Sequence, residues 1–113
     1  MKIVVDTITV DEIKGMAANL FGDMVKAVVD VEKSIIALDA ELHSDLEALL
    51  LDGGSKQKNL WGVNIYPEQS QDEFVEFDSM INLRPSQGNK SRGVEDKALR
   101  SKIVEIVAKK VKR

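Results

Sequence analysis

Apolar residues recur at helical spacing in three segments of the chain. Between Thr9 and Gly22 they follow one another three and four residues apart, and the Ser/Thr-x-x-Glu pattern of a capping box opens the segment at Thr9. The same pattern at Ser44 opens a second segment, which ends at Gly53. A third segment runs from about Gly93 to the last residue. The spacing therefore predicts three helices.

Other stretches alternate between apolar and polar residues, which is typical of strands. Residues 24–40 are rich in β-branched side chains and predict a hairpin that turns near residues 32–33. A single long helix is the alternative for 24–40, because several of its valines also share a helical face. Residues 59–66 and 74–84 predict a second hairpin, and the apolar run at residues 1–6 predicts an edge strand or an arm.

The order helix, hairpin, helix, hairpin, helix predicts the fold class. We expect an α+β domain over residues 1–113, with an antiparallel sheet of about four strands and about three helices packed mainly on one face. Aromatic residues make up only 4% of the chain, so the core is expected to consist of valine, isoleucine, leucine and alanine. Because few helices remain for the other face, a homodimer formed through that face is a further expectation.

Composition excludes several classes of site. The chain has no cysteine and one histidine, which rules out disulfides, cysteine-ligated zinc and histidine-rich metal centres, whereas a Mg²⁺ or Ca²⁺ site with oxygen ligands stays open. The net charge of −3 disfavours nucleic acid as a partner, and the basic residues 109–113 are interpreted as complementing the dipole of the last helix. No apolar stretch is long enough to span a bilayer and no signal pattern opens the chain, so we expect a cytoplasmic protein without a membrane partner.

The segment RPSQGNKSRGVED, Arg84–Asp96, is the first candidate for a functional site. A loop rich in glycine and asparagine that leads into a helix can direct backbone amides at an anion, with lysine and arginine completing the site. The opposing interpretation is structural: Arg84 and Arg92 pair with neighbouring carboxylates in a solvated turn. Glu95 and Asp96 would already compensate the helix dipole. The anion hypothesis assigns ligand contacts to Arg84, Asn89, Lys90 and Arg92.

The polar face of the second predicted hairpin is the second candidate. Glu76 and Asp78 lie two residues apart on a strand, so both carboxylates point to the same side and could divide acid and base roles or hold Mg²⁺. Asn64 and Tyr66 are expected on the partner strand and Asn82 further along the same face, with Asn64 and Asn82 as ligand contacts. The alternative is the ordinary solvent side of a sheet. No metal ligand is assigned.

The single histidine is the third candidate. His43 lies between Glu41 and Asp45, just before the predicted second helix, where it could act as a general base with an orienting partner. A structural or exposed histidine beside a helix start is the alternative. In a hydrolase the catalytic residues would be His43, Glu76 and Asp78. They would have to meet Arg84 or Arg92 in one cleft.

Several segments together resemble a known family. GDMVKAVVDVE, ELHSD, NLWGVNIYP, EFDSMINLRPSQGN and SRGVED occur in this order, and NLWGVNIYP and INLRPSQGNKSRGVED are the most specific parts. They are similar, over nearly the whole chain, to a family of short archaeal and bacterial proteins catalogued only as a domain of unknown function. The resemblance implies no activity, substrate or catalytic residue.

The residues favour one function and leave two alternatives open. We expect a binding module for a phosphate-bearing ligand, such as a nucleotide, or for a partner, acting through the Arg84–Asp96 loop and the polar sheet face. The first alternative is a phosphoester hydrolase that works by metal assistance or by acid and base catalysis. The second is a structural protein-interaction domain without a small ligand. The sequence identifies no cofactor.

Overall fold

The computed structural model describes residues 1–113, apart from the side chain of residue 71. Its helices are α1 (Val10–Asn19), α2 (His43–Asp52), α3 (Gln71–Phe74) and α4 (Lys97–Lys110). Its strands are β1 (Lys2–Val4), β2 (Ile8–Thr9), β3 (Val25–Asp30), β4 (Ile35–Leu38), β5 (Leu60–Ile65), β6 (Val75–Glu76) and β7 (Val111–Lys112). The predicted α+β class is confirmed. The main sheet of the described chain has five strands, one more than expected, and α3 is an additional short helix.

The main sheet has the strand order β1-β4-β3-β5-β6, and every neighbouring pair is antiparallel. β1 is the predicted edge strand. β3 and β4 form the predicted hairpin, which excludes the alternative of a long helix over 24–40. Asp30 organises its turn, because Oδ1 accepts hydrogen bonds from the amides of Glu32 and Lys33, both at 2.9 Å. This Asx turn closes the hairpin without the Asn-Gly or Asp-Gly pair that is common in short hairpin turns.

Helices cover both faces of the sheet. On the first face α1 and α4 pack against alternate residues of β3, β4 and β5, and this is the larger core. On the second face α2 places Leu46 and Leu50 against Val28, Ala37 and Leu60 of the sheet. α1 and α4 share one face, as expected of helices packed mainly on one side, and α2 covers apolar strand residues of the other face that would otherwise be exposed. α2 also covers part of the face for which the sequence predicts self-association.

The predicted strand over 74–84 is mostly wrong. Only β6 pairs with β5 in this stretch, and a 3₁₀ turn follows it. The chain leaves the sheet because the next positions of β5 are bonded by side chains instead of a backbone. Asn82 bonds the backbone of Gly62, and Arg84 donates to the carbonyl of Leu60.

The first two helices follow their capping signals only in part. Thr9 caps α1 as predicted, since its hydroxyl accepts a hydrogen bond from the Glu12 amide at 3.1 Å. The predicted cap at Ser44 is wrong. α2 begins at His43, two residues before the position that a cap at Ser44 implies, and no side chain caps it. The N-terminal amides of α2, which form the positive end of the helix dipole, therefore have no capping side chain.

The last helix is shorter than predicted at both ends. It begins at Lys97 rather than near Gly93, because Asp96 caps it and accepts hydrogen bonds from two first-turn amides at 2.9 and 3.2 Å. It ends at Lys110, and β7 then pairs in parallel with β2, a small second sheet that no sequence pattern predicted. None of the helices that the structure describes is long and apolar enough to cross a membrane.

Candidate functional site

A cleft of about 460 Å³ opens on the second face of the sheet, beside the start of α2. Its floor is formed by neighbouring polar residues of β3, β5 and β6, and its walls by the first residues of α2 and the loop after β6. We call it the polar cleft. Its polar and charged lining includes Lys26, His43, Asn64, Tyr66, Glu76, Asp78 and Arg92. The structure thus brings five of the predicted site residues together: His43, Asn64, Glu76, Asp78 and Arg92.

The floor carries a row of three polar side chains at one level of the sheet. Lys26 on β3 is paired with Asn64 on β5, which is paired with Glu76 on β6. Residues opposite each other on antiparallel strands share a face, so the three side chains are neighbours. Asn64 Nδ2 donates to Glu76 Oε1 at 2.8 Å, and the Tyr66 hydroxyl donates to the same oxygen at 3.1 Å. The expected placement of Asn64 and Tyr66 beside Glu76 is confirmed, and both orient its carboxylate.

Asn64 is almost fully buried, at 5% exposure, yet only one side of its amide is satisfied. Nδ2 also donates to the backbone carbonyl of Asp78 at 3.3 Å, whereas Oδ1 has no hydrogen-bond partner among the described groups. A buried acceptor without a donor is unfavourable. Tyr66 differs: burial, and then the hydrogen bond to Glu76, raise the pKa of its phenol, which stays protonated and donates at neutral pH.

His43 occupies the first position of α2, and its ring is buried. Nε2 lies 2.8 Å from the backbone oxygen of Val63, and because a carbonyl only accepts, the contact places a proton on Nε2. Burial lowers the pKa of His43. Lys26 and Arg92 act in the same direction, and the Val63 carbonyl and Asp78 oppose them. The ring is therefore neutral at pH 7, and Nδ1 is the nitrogen that can take up a proton.

Gly62 lets two side chains approach the sheet closely. A Cβ atom at this position would lie 2.6 Å from the Cβ of Ser79, closer than packed carbon atoms allow, and a tight 3.2 Å from Cδ2 of His43. Ser79 itself is 1% exposed. Sequence reasoning missed both Gly62 and Ser79. A glycine within a strand is the signal that could have indicated a close approach here.

Arg92 folds back over the sheet face and pairs with Asp78, with 2.7 Å between Nε and Oδ1. Two hydrogen bonds to its backbone carbonyl fix this part of the loop, from the Ser79 amide and from Asn82 Nδ2, both at 2.9 Å. The side chains of Arg92 and Asp78 remain 56% and 44% exposed. The predicted pairing of Arg92 with a carboxylate is confirmed, and its guanidinium borders the polar cleft.

Arg84 points away from the cleft and into the fold. The residue is 8% exposed, its guanidinium stacks 4.6 Å from the centre of the Trp61 ring, and Glu47 Oε2 lies 3.9 Å from Nη2. Burial lowers the pKa of Arg84, and Glu47 opposes that change. The predicted carboxylate partner is thus present. The N–H groups of Arg84 donate to the backbone carbonyls of Ile81 and Gln57 at 2.9 Å each, and to that of Leu60.

Asn89 organises the loop from inside. It is 5% exposed; Nδ2 donates to the carbonyls of Asn82 at 2.7 Å and Gly93 at 2.8 Å, and Oδ1 accepts from the Glu95 amide at 2.9 Å. Lys90 is exposed and does not line the polar cleft, and its amide donates to the Glu95 carboxylate at 2.6 Å. Among the predicted ligand contacts, Arg84, Asn82 and Asn89 therefore use their polar groups to build the loop.

The start of α2 adds a further feature that the sequence did not predict. Leu42, His43 and Ser44 line the polar cleft, so the uncapped end of the helix adjoins it. The positive end of a helix dipole attracts anions. Asp45, in the first turn, compensates part of this dipole, but it is exposed and does not line the cleft. The polar cleft therefore combines a helix N-terminus with Lys26 and Arg92.

Comparison with known proteins identifies the family but no activity. The model of the family described as "Protein of unknown function (DUF5674)" matches residues 2–110. The chain belongs to this family. The DUF5674 match confirms the resemblance to a family of unknown function over nearly the whole chain. No curated protein and no solved structure matches the chain.

The arrangement in this DUF5674 protein can perform two kinds of chemistry. It can hold an anion between Lys26, Arg92 and the start of α2. It also places the neutral imidazole of His43 in the same cleft as the carboxylates of Glu76 and Asp78, where Nδ1 could act as a general base toward a bound ligand. Within the described residues, no three histidine, aspartate or glutamate side chains are grouped so that they could hold a metal ion.

Proposed function

We propose that the protein binds a small phosphate-bearing ligand in the polar cleft. The observation that carries the proposal is the convergence of three sources of positive potential: Lys26 from β3, Arg92 from the loop, and the uncapped end of α2. Proteins bind phosphate oxygens with this combination of arginine, lysine and helix amides. The volume of about 460 Å³ is that of a small-molecule site.

Two carboxylates in the cleft oppose an anion, and their contacts limit the repulsion. Asp78 is paired with Arg92, and Glu76 accepts two hydrogen bonds. Lys26 forms no salt bridge among the described side chains, and its Nζ lies 5.2 Å from the centre of the Phe21 ring. A contact of this kind is weak at an exposed site, so Lys26 can turn toward a bound phosphate.

Calorimetry and thermal denaturation with inorganic phosphate and adenosine monophosphate test the proposal. We expect both compounds to raise the melting temperature, and Arg92→Ala to lower the affinity about tenfold or more, since it removes a charge-assisted contact. Arg100→Ala is the matched control, because Arg100 is exposed on α4 and does not line the polar cleft. The absence of binding by any phosphate compound would contradict the proposal, as would equal losses in the two variants.

A second candidate function is phosphoester hydrolysis by acid and base catalysis. The observation that favours it is the meeting of His43, Glu76, Asp78 and Arg92 at one cleft. His43 Nδ1 would take a proton from a water molecule as its oxygen attacks phosphorus. The bond from phosphorus to the ester oxygen would break, and the leaving oxygen would take a proton from solvent. Arg92 would stabilise the charge on the phosphoryl oxygens.

Hydrolysis of p-nitrophenyl phosphate distinguishes the two functions. The catalytic hypothesis predicts turnover by the wild type that is lost in His43→Gln, because glutamine can still donate to the Val63 carbonyl but cannot take up the proton. Binding of inorganic phosphate should be retained in the same variant. Turnover that is absent in the wild type, or unchanged in His43→Gln, would rule out His43 as a base and leave the binding function standing.

A further inference from the structure

We infer that the ligand of the polar cleft is a nucleoside monophosphate. The inference rests on the proposed function and assigns the parts of the ligand to three groups of residues. The phosphate lies at Lys26, Arg92 and the start of α2, the sugar hydroxyls meet Glu76, and the base contacts Leu42 and Met80. The assignments of the sugar and the base follow from side chains that a bare phosphate ion would leave unmatched.

The carboxylate of Glu76 is the first group that a bare phosphate ion would leave unmatched. Its Oε1 accepts hydrogen bonds from Asn64 Nδ2 and the Tyr66 hydroxyl, which hold the group in place without neutralising it. Among the described side chains, no salt bridge compensates its charge. An oriented carboxylate of this kind repels a phosphate but accepts hydrogen bonds from hydroxyl groups. Dinucleotide-binding sites use an acidic residue on the ribose in this way.

The orphaned acceptor of Asn64 points in the same direction. Its Oδ1 is buried and has no partner among the described groups, although Asn64 lines the polar cleft next to Glu76. A deprotonated phosphate oxygen only accepts and cannot satisfy it, whereas a hydroxyl group that reaches it can donate. The end of the cleft at Glu76 therefore presents a carboxylate acceptor, with the Asn64 acceptor buried beside it, and the end at Arg92 and α2 presents donors. A ligand that combines a phosphate with hydroxyl groups matches both ends.

Exposed apolar side chains provide the third observation. Leu42 and Met80 are 54% and 63% exposed, and both line this polar cleft. They belong to two different walls, since Leu42 precedes α2 and Met80 lies in the 3₁₀ turn after β6. A flat, weakly polar ring would remove apolar area of both from water. A nucleobase supplies such a ring, which a simple sugar phosphate lacks.

Calorimetry with a series of three ligands tests the inference: inorganic phosphate, ribose 5-phosphate and adenosine monophosphate. We expect the affinity to rise roughly tenfold at each step, because each adds one set of matched contacts. Equal affinity for all three would overturn the inference and leave the proposed phosphate site intact. If none of the three binds, both the inference and the proposed function fail.

Two variants test which residue causes each increase in affinity along the series. Glu76→Gln keeps an oxygen for Asn64 and Tyr66 and removes the charge, so it should abolish the gain from phosphate to ribose 5-phosphate without weakening phosphate itself. Met80→Ser should reduce only the gain from ribose 5-phosphate to the nucleotide, because Leu42 still contacts the base. A full ribose gain in Glu76→Gln, or a full base gain in Met80→Ser, would overturn the corresponding assignment. The affinities of the wild type for the three ligands decide the inference even where a variant is unstable.

Discussion

The side chain of Asn82 binds both backbone groups of Gly62, as a neighbouring strand would. The Gly62 amide donates to Oδ1 at 2.8 Å, and Nδ2 donates to the Gly62 carbonyl at 2.9 Å. β6 pairs only with residues 64 and 65 of β5, so this edge would otherwise be open at Gly62. A primary amide offers the same donor and acceptor as a peptide group. Asn82 also donates to the Arg92 carbonyl, so one buried residue joins the sheet to the loop of the polar cleft.

Replacing Asn82 by alanine should destabilise the fold markedly. The change removes three hydrogen bonds, each of which contributes about 1 kcal/mol, so we expect the free energy of unfolding to fall by about 3 kcal/mol. Urea denaturation measures this loss. Asn82→Asp should also be destabilising, because it keeps the acceptor but turns a carboxylate oxygen toward two carbonyls. A loss below about 0.5 kcal/mol in Asn82→Ala would contradict the strand-replacing role, since exposed sites give changes of that size.

A pair of glycine substitutions tests the close approach at β5. Gly62→Ala should lower the free energy of unfolding by about 1–3 kcal/mol, as overpacking does, because its Cβ would lie 2.6 Å from Ser79. Gly15→Ala is the control. Gly15 lies in α1 with open space around its Cβ position, and alanine is the better helix former by about 1 kcal/mol. Thermal denaturation should therefore shift in opposite directions, and a stabilised Gly62→Ala would disprove the contact.

Arg84 and Arg92 should respond differently to lysine. Arg84→Lys loses donors to three carbonyls and the stacking on Trp61, so we expect a destabilisation of about 2–3 kcal/mol. Arg92→Lys keeps a charge near Asp78 at a half-exposed position, and exposed ion pairs contribute only about 0–1 kcal/mol. Chemical denaturation of the two variants measures the contrast. Similar losses would show that Arg84 is not the structural arginine of the loop.

The protein should become less stable as the pH is lowered, because His43 titrates. Its pKa is lowered by burial in the folded state, whereas the unfolded chain has the ordinary value of 6.5. Below that value the unfolded chain binds a proton that the folded chain excludes, so stability is present above pH 6.5 and declines as the pH falls below it.

Urea denaturation between about pH 7.5 and pH 5.5 measures this effect, a window above the titration range of ordinary carboxylates. We expect His43→Gln to lose most of the slope, because glutamine keeps a donor for Val63 and does not titrate. An equal slope in the variant and the wild type would show that His43 is accessible to protons in the folded state.

Periodicity predicted the elements that are built from local sequence. The helix after Thr9, the hairpin over 24–40 and strand β5 form where their patterns indicate, because their apolar faces have a regular period. The strand over 74–84 failed for a physical reason. Its alternation is real, but Asn82 and Arg84 bond β5 through their side chains, and no periodic pattern records which partner a polar group will find.

The sequence by itself determined the α+β class, the main helices and the residues worth examining, since these depend on spacing and composition. Only the tertiary structure decided which of those residues stabilise the fold and which are exposed at the polar cleft. Arg84, Asn82 and Asn89 satisfy backbone groups of the loop and of residues 57–62, and Arg92 and Asp78 remain half-exposed at the polar cleft. Identical residue types take opposite roles because burial makes a polar group bond whatever lies nearest, while exposure leaves it available to a ligand.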